Sequence, residues 1–130
     1  LIKILGILIR NEKYAKAISA SISFKKLLAL IETILIINQV SQQCQDEYKL
    51  LRKEIVIIEE ERNKYIHSYY DMYEWSGSGK KYLRIKNNNG VKSQIEDIDS
   101  EETFINISDR INKTLLKILD FQELVLQEIQ

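Results

Sequence analysis

The chain has 130 residues, of which 45% are hydrophobic and 29% charged, and its 19 basic and 19 acidic residues give a formal net charge of zero. This length fits one domain with a buried core, and the balance of apolar and charged residues excludes an intrinsically disordered chain. The zero net charge excludes the overall basic character of many nucleic-acid-binding proteins.

The rarest residue types limit the possible chemistry of the protein and indicate its cellular compartment. Cys44 is the only cysteine and His67 the only histidine. A single cysteine cannot form an intramolecular disulfide, so we expect a reducing, cytoplasmic environment. A zinc site needs several nitrogen or sulfur ligands at short spacing, and we expect neither a metal nor a cofactor. The apolar segments 1–9 and 27–40 are interrupted or too short to span a bilayer, so we expect no membrane partner.

Apolar residues at helical spacing fill the first half of the chain, which has no glycine between Gly6 and Gly77 and no proline. We predict a first helix that ends near Ser19, Ser21 and Ser23. A second helix is predicted to end in the turn 38–43, with Ser41 as the N-cap of the next helix.

The third helix is predicted to run from about Gln43 to about Trp75, where the glycine- and serine-rich segment 76–79 ends it. It carries Arg62, Asn63 and His67 in its last third. Arginine can bind a phosphate through two parallel hydrogen bonds, and histidine can transfer protons near neutral pH.

Helix geometry makes these three residues a candidate site. Asn63 and His67 are four positions apart, so on a helix Asn63 can hydrogen-bond the imidazole and fix its tautomer, and the long Arg62 side chain can turn toward it. The alternative is a chance pattern of surface residues, in which Arg62 pairs with Glu59 or another acid of the same helix.

Arg62-Asn63, three further residues and His67 resemble the Arg-(Asn/Asp/His)-x(3–5)-His signature of the HEPN superfamily. The resemblance implies one HEPN-like helical domain over residues 1–130, metal-independent endoribonuclease activity of the toxin and defence type, and a homodimer in which two motifs line one cleft. Arg62, His67 and Tyr69 also resemble the Arg-x4-His-x-Tyr form of HEPN toxins that are paired with a nucleotidyltransferase antitoxin. That likeness implies adenylylation of Tyr69 by such a partner.

A β-hairpin is predicted at about residues 80–97, because apolar and polar residues alternate on both sides of Gly90. Matching the apolar faces requires Leu83 opposite Ile95 and Asn87 opposite Val91. The hairpin segment also carries the basic residues Lys80, Lys81, Arg84, Lys86 and Lys92. These are candidate RNA-backbone contacts, or charges that keep an edge strand from aggregating.

The last helix is predicted to begin near Asp99 or Ser100, where Asp99 and Glu102 have the spacing of a capping box. The elements together predict an all-α fold, an up-and-down four-helix bundle with a small β-hairpin inserted before the last helix. Segments 1–9 and 27–40 are apolar around most of their circumference, which favours a self-associating face.

Two functions follow from these patterns. In the first, the protein is a metal-independent endoribonuclease in which His67 is the general acid or base, Arg62 stabilises the phosphate and Asn63 orients His67. In the second, it is a non-catalytic HEPN-like helical module that dimerises or binds a nucleotide or a partner protein. Arg62 and His67 would then have structural roles.

Overall fold

The structure, a computed structural model, describes the backbone of residues 1–66, 69–74, 80–88 and 92–130, and the side chains of residues 1–65 and 102–130. In chain order the elements are α1 (Ile2–Leu8), α2 (Glu12–Ser21), α3 (Phe24–Ile37), α4 (Gln42–Ile66), β1 (Tyr69–Glu74), β2 (Lys80–Asn88), β3 (Lys92–Ser100) and α5 (Glu101–Ile129). Helices thus form most of the described chain, in agreement with the predicted helical class. No helix in these ranges has the length and apolarity needed to cross a bilayer.

The prediction of one continuous first helix is wrong, because residues 9–11 separate α1 from α2. The chain turns there through a Schellman motif, in which Arg10 N donates to Ile7 O (3.2 Å) and Asn11 N donates to Gly6 O (3.0 Å). Arg10 has a φ of 54°, the left-handed conformation that glycine usually supplies. Asn11 then caps α2 by accepting a backbone N–H bond of 3.1 Å.

A second Schellman motif ends α3. Gln39 N donates to Ile36 O (3.0 Å), and Val40 N donates to Leu35 O (3.3 Å). Gln39 has a φ of 53° and, like Arg10, holds a position that favours glycine. Val40 and Leu35 are both buried in the same apolar core, and an apolar pair at these two positions commonly accompanies the motif.

The predicted N-cap of the next helix is confirmed. Ser41 Oγ accepts a hydrogen bond from Cys44 N (3.2 Å) at the start of α4. The carboxylate of Glu128, near the end of α5, accepts hydrogen bonds from Ser41 N (3.0 Å) and from Ser41 Oγ. These bonds favour the ionised form, so they lower the pKa of Glu128. The end of α5 is thereby fastened to the beginning of α4.

The chain forms two compact units, a first unit of Leu1–Val56 with Lys113–Gln130 and a second unit of Ile57–Asn112. The first unit contains an apolar core to which α1–α5 all contribute: Ile4, Leu5, Leu8, Ala15, Leu27, Leu28, Ile31, Leu35, Val40, Cys44, Tyr48, Leu51, Ile55, Phe121 and Val125. The Tyr48 and Phe121 rings have centroids 5.4 Å apart, and Tyr48 Oη donates to Leu28 O at 2.8 Å. Burial raises the pKa of the Cys44 thiol to about 11.

Two ion pairs join neighbouring helices of the first unit. Arg52 of α4 pairs with Glu32 of α3, and Lys117 of α5 pairs with Glu54 of α4 at 2.7 Å. All four side chains remain partly exposed, so these pairs contribute modestly to stability and mainly fix which helix faces are adjacent.

The second unit contains a three-stranded antiparallel sheet in the order β1-β2-β3, where the sequence predicts a single hairpin of two strands. The prediction that the third helix reaches Trp75 is wrong, because α4 ends at Ile66 and β1 begins at Tyr69. β1 is rich in tyrosine, and aromatic residues favour strands.

The predicted register between β2 and β3 is also wrong. Ile85 pairs with Ile95, and Leu83 pairs with Ile98. Asn87 pairs with Ser93, two residues from its predicted partner Val91, and beyond a β-bulge between Arg84 and Ile85 the offset grows to three residues. An alternating apolar pattern alone neither fixes where the loop lies nor reveals such a bulge. The last helix starts within two residues of its predicted beginning, but Asp99 belongs to β3 and so is not its N-cap.

Candidate functional site

Arg62 and Asn63 lie near the C-terminal end of α4, in the second unit. The Arg62 side chain is exposed, and that of Asn63 is half-buried. His67, the third residue of the predicted site, lies outside the described residues. Its predicted position above Asn63 therefore lies outside them as well. The role of His67 therefore stays a prediction.

Asn63 links Arg62 to Glu59. Arg62 Nη1 donates to Asn63 Oδ1 at 3.2 Å, and Asn63 Nδ2 donates to Glu59 Oε1 at 3.3 Å. Glu59 and Asn63 are one helical turn apart, which brings their side chains together on one face. Within the described chain, Arg62 has this amide as its partner and forms no ion pair with a carboxylate. The direct Arg62–Glu59 pair considered from the sequence is therefore replaced by an amide bridge.

Three glutamates precede Arg62, and each has a different environment. Glu59 accepts the Asn63 hydrogen bond, Glu60 is exposed, and Glu61 Oε1 accepts a hydrogen bond from Arg110 Nη1 of α5 at 2.6 Å. Uncompensated carboxylates would repel a phosphate. The Arg110 pair offsets one of these charges and lowers the cost of placing a phosphodiester near Arg62.

Sequence reasoning missed the part played by Arg110, which lies 49 positions from Glu61. No local pattern could have indicated this pair, because it depends on how α5 packs within the second unit. Glu59 and Asn63 have the spacing of a helical pair, but spacing alone does not show whether Glu59 contacts Asn63 or Arg62.

Aromatic packing holds this end of α4 against the beginning of α5. The Tyr65 and Phe104 rings have centroids 6.1 Å apart and are inclined at 71°, an edge-to-face arrangement. Lys64 Nζ lies 5.9 Å from the centroid of the Tyr65 ring, within range of a cation–π contact. Tyr65 therefore has a packing role in the second unit.

The remaining predicted site residues lie in the sheet. Tyr69 is the first residue of β1, and its backbone pairs with Ile85. Four of the predicted RNA-binding residues are on β2 and the fifth begins β3: Lys80, Lys81, Arg84 and Lys86, then Lys92. β2 is the central strand, so the edge-protection interpretation is wrong for the four on β2. Their side chains lie outside the described residues, and RNA binding stays a prediction.

The described part of the site presents an exposed guanidinium held by an amide. Such a group can bind two oxygens of a phosphate while its position is maintained by the protein. No protein-family model, curated protein or solved structure matches this sequence. The function must therefore be inferred from these side chains and from the motif that contains them.

Proposed function

We propose that this protein is a metal-independent endoribonuclease of the HEPN type. The observation that carries the proposal is the exposed Arg62 guanidinium, which has a neutral amide as its partner within the described chain. A carboxylate would occupy the planar fork of the guanidinium and neutralise its charge. The amide oxygen of Asn63 uses one donor and leaves both the charge and the other donors for a phosphate.

In the proposed reaction the RNA supplies its own nucleophile. His67 takes the proton from a ribose 2′-hydroxyl while water protonates the leaving 5′-oxygen, or it gives a proton to the leaving 5′-oxygen while water accepts the proton of the 2′-hydroxyl. The 2′-oxygen attacks phosphorus and the bond to the 5′-oxygen breaks, which leaves a 2′,3′-cyclic phosphate and a 5′-hydroxyl. Arg62 stabilises the negative charge that builds on the phosphate oxygens in the transition state. The five basic residues of β2 and β3 hold the RNA backbone through salt-sensitive contacts.

The proposal also covers the arrangement of the helices, the oligomeric state, the cellular location and the partner protein. We propose an up-and-down four-helix arrangement of HEPN type, a homodimer, a cytoplasmic location and a nucleotidyltransferase-type antitoxin that adenylylates Tyr69. Mass spectrometry of the protein after co-expression with such an enzyme tests the last point. A mass increase of one adenylyl group that disappears in Tyr69→Phe is expected, and an unmodified Tyr69 contradicts it.

RNA cleavage in excess EDTA tests the nuclease. The substrate is a mixed-sequence single-stranded RNA, and the proteins are the wild type, Arg62→Ala, His67→Ala and Lys53→Ala. Lys53 is an exposed cation on the same helix and serves as the matched control. We expect cleavage by the wild type and Lys53→Ala, and a loss of about 100-fold or more in the two site variants, the usual effect of removing a proton-transfer group or an electrostatic stabiliser.

The chemical ends of the RNA products and the folded state of each variant decide whether the nuclease proposal holds. Ends that carry 2′,3′-cyclic phosphate support the proposed chemistry, whereas 5′-phosphate ends contradict it. Equal cleavage by all four proteins indicates a contaminating nuclease, and absence of cleavage by folded wild-type protein contradicts the proposal. Circular dichroism establishes that each variant is folded.

A non-catalytic dimerisation module is the second candidate, and exposed apolar side chains favour it. Leu115, Leu116 and Leu119 of α5 are 51%, 61% and 54% exposed, and Leu50 of α4 is 64% exposed. Large apolar side chains grouped within about one helical turn often mark a contact surface. Under this candidate, Arg62→Ala and His67→Ala change stability or assembly, and no variant cleaves RNA.

A further inference from the structure

We propose that Glu59 is a positioning residue for Arg62 and acts through Asn63. The inference rests on the proposed function, because it concerns the guanidinium that would bind the RNA phosphate. It adds Glu59 to the site and assigns Asn63 a second role, that of fixing Arg62.

The first step of the argument is geometric. Adjacent residues on a helix point about 100° apart, so Arg62 and Asn63 do not meet by backbone position alone. The guanidinium turns back toward Asn63, where Nη1 donates to Oδ1 at 3.2 Å. Asn63 is half-buried and Arg62 is exposed. The shorter and better-packed side chain therefore fixes the longer one.

The second step concerns what fixes Asn63. Its Nδ2 donates to Glu59 Oε1 at 3.3 Å, and Glu59 is also half-buried. With the amide nitrogen held by a carboxylate, the amide oxygen has a defined direction and accepts from Arg62. Hydrogen bonds in series polarise one another, so the carboxylate strengthens the bond to the guanidinium.

The third step concerns the charge. Asn63 separates the Glu59 carboxylate from the Arg62 guanidinium, so the acid orders the arginine without occupying its fork. An arginine that is already ordered loses less side-chain entropy when it binds a phosphate. The arrangement lowers the cost of binding while it keeps the cation accessible.

The direction in which activity changes when Glu59 is removed distinguishes a positioning role from a simple effect of its negative charge. Removing a carboxylate near a polyanion site should by itself tighten RNA binding. If Glu59 positions Arg62, its removal should instead weaken catalysis. Glu60 provides the matched control, since it is the adjacent glutamate, is exposed, and has no partner among the described residues.

The experiment measures kcat and KM for RNA cleavage by the wild type, Glu59→Ala, Glu59→Gln, Glu60→Ala, Asn63→Ala and the double variant Glu59→Ala/Asn63→Ala. Glu59→Ala is expected to lower kcat about tenfold, the effect of losing one hydrogen bond that acts in the transition state. Glu59→Gln should recover most of the activity, because its Oε1 can still accept from Asn63. Glu60→Ala should be as active as the wild type or more active.

The double variant is the decisive measurement. If Glu59 acts through Asn63, the double variant has the same kcat as Asn63→Ala alone. Additive losses, or an equal loss in Glu60→Ala, overturn the positioning role while wild-type cleavage still supports the nuclease. Absence of wild-type cleavage overturns the proposed function, and this inference falls with it. Thermal unfolding of each variant separates a loss of fold from a loss of positioning, and Glu59→Gln keeps the side-chain volume if Glu59→Ala is unstable.

Discussion

Tyr48 places a phenolic hydroxyl inside an otherwise apolar core. Its side chain is fully buried, and its hydroxyl donates to the Leu28 carbonyl at 2.8 Å. Tyr48→Phe removes the donor and keeps the ring, so we expect the free energy of unfolding to fall by about 1 kcal/mol. Urea denaturation measures it. Tyr14→Phe, at a 66% exposed site, is the control and should leave the free energy of unfolding unchanged. An unchanged free energy of unfolding in Tyr48→Phe would show that the hydrogen bond does not stabilise the fold.

Glu128 makes stability depend on pH at the acidic end. Its bonds from Ser41 lower its pKa below the ordinary value of 4.5, so the unfolded chain binds the proton more readily than the folded chain. The stabilisation is complete above the ordinary pKa and is lost as the pH falls through the lowered one. Urea denaturation across this range should show a smaller acid-dependent loss in Glu128→Gln than in the wild type. Glu123→Gln, an exposed acid on the same helix, should behave as the wild type.

The candidate site could be predicted from the sequence in part. Interactions between residues close in sequence could be predicted, and those between residues far apart in sequence could not. Arg62 and Asn63 were found because their spacing is local. Glu59 was also identified locally, but as a direct partner of Arg62, because spacing does not show which of two neighbouring polar groups a carboxylate will contact. Arg110 could not be identified, since its bond to Glu61 depends on tertiary packing.

At the scale of the helices, the two left-handed residues that end α1 and α3 offer a direct test. A left-handed L residue costs about 1–2 kcal/mol, and the greater flexibility of unfolded glycine offsets part of this. Arg10→Gly and Gln39→Gly should therefore each raise the free energy of unfolding by about 0.5 kcal/mol. Ala17→Gly, at an exposed site in the middle of α2, should lower it by about 1 kcal/mol. Equal destabilisation by all three would contradict the role of the left-handed turns.

The sequence locates some helix boundaries and misses others, depending on whether a boundary carries a residue type that usually marks one. The start of α4 was predicted because Ser41 is a standard N-cap residue and acts locally. The break between α1 and α2 was missed because Arg10, not glycine, takes the left-handed position. Strand β1 is not predicted, because the nearest strong helix breakers are the glycines at 77 and 79, whereas α4 ends at Ile66. The tyrosines of β1 were the available signal.

At the scale of the whole molecule, the exposed leucines of α5 predict self-association. Leu116 is 61% exposed, and burying it against a second copy would remove apolar surface from water. Leu116→Glu should raise the dimer dissociation constant at least about tenfold, because a charge would be buried in the contact. Sedimentation equilibrium measures this. Lys113→Glu, an exposed change on the same helix, is the control, and a monomeric wild type would contradict the prediction.

The first unit is assembled from two distant stretches of sequence, and this sets the order of events during synthesis. Phe121 and Val125 complete the core around Tyr48, yet the 56 residues of the second unit are translated before them. At about 5–20 residues per second, roughly 3–14 seconds pass between the synthesis of Val56 and that of Val125, the last core side chain of the first unit. During that interval the apolar faces of the early helices lack a cover, so the nascent chain is a natural client for chaperones that bind exposed hydrophobic segments.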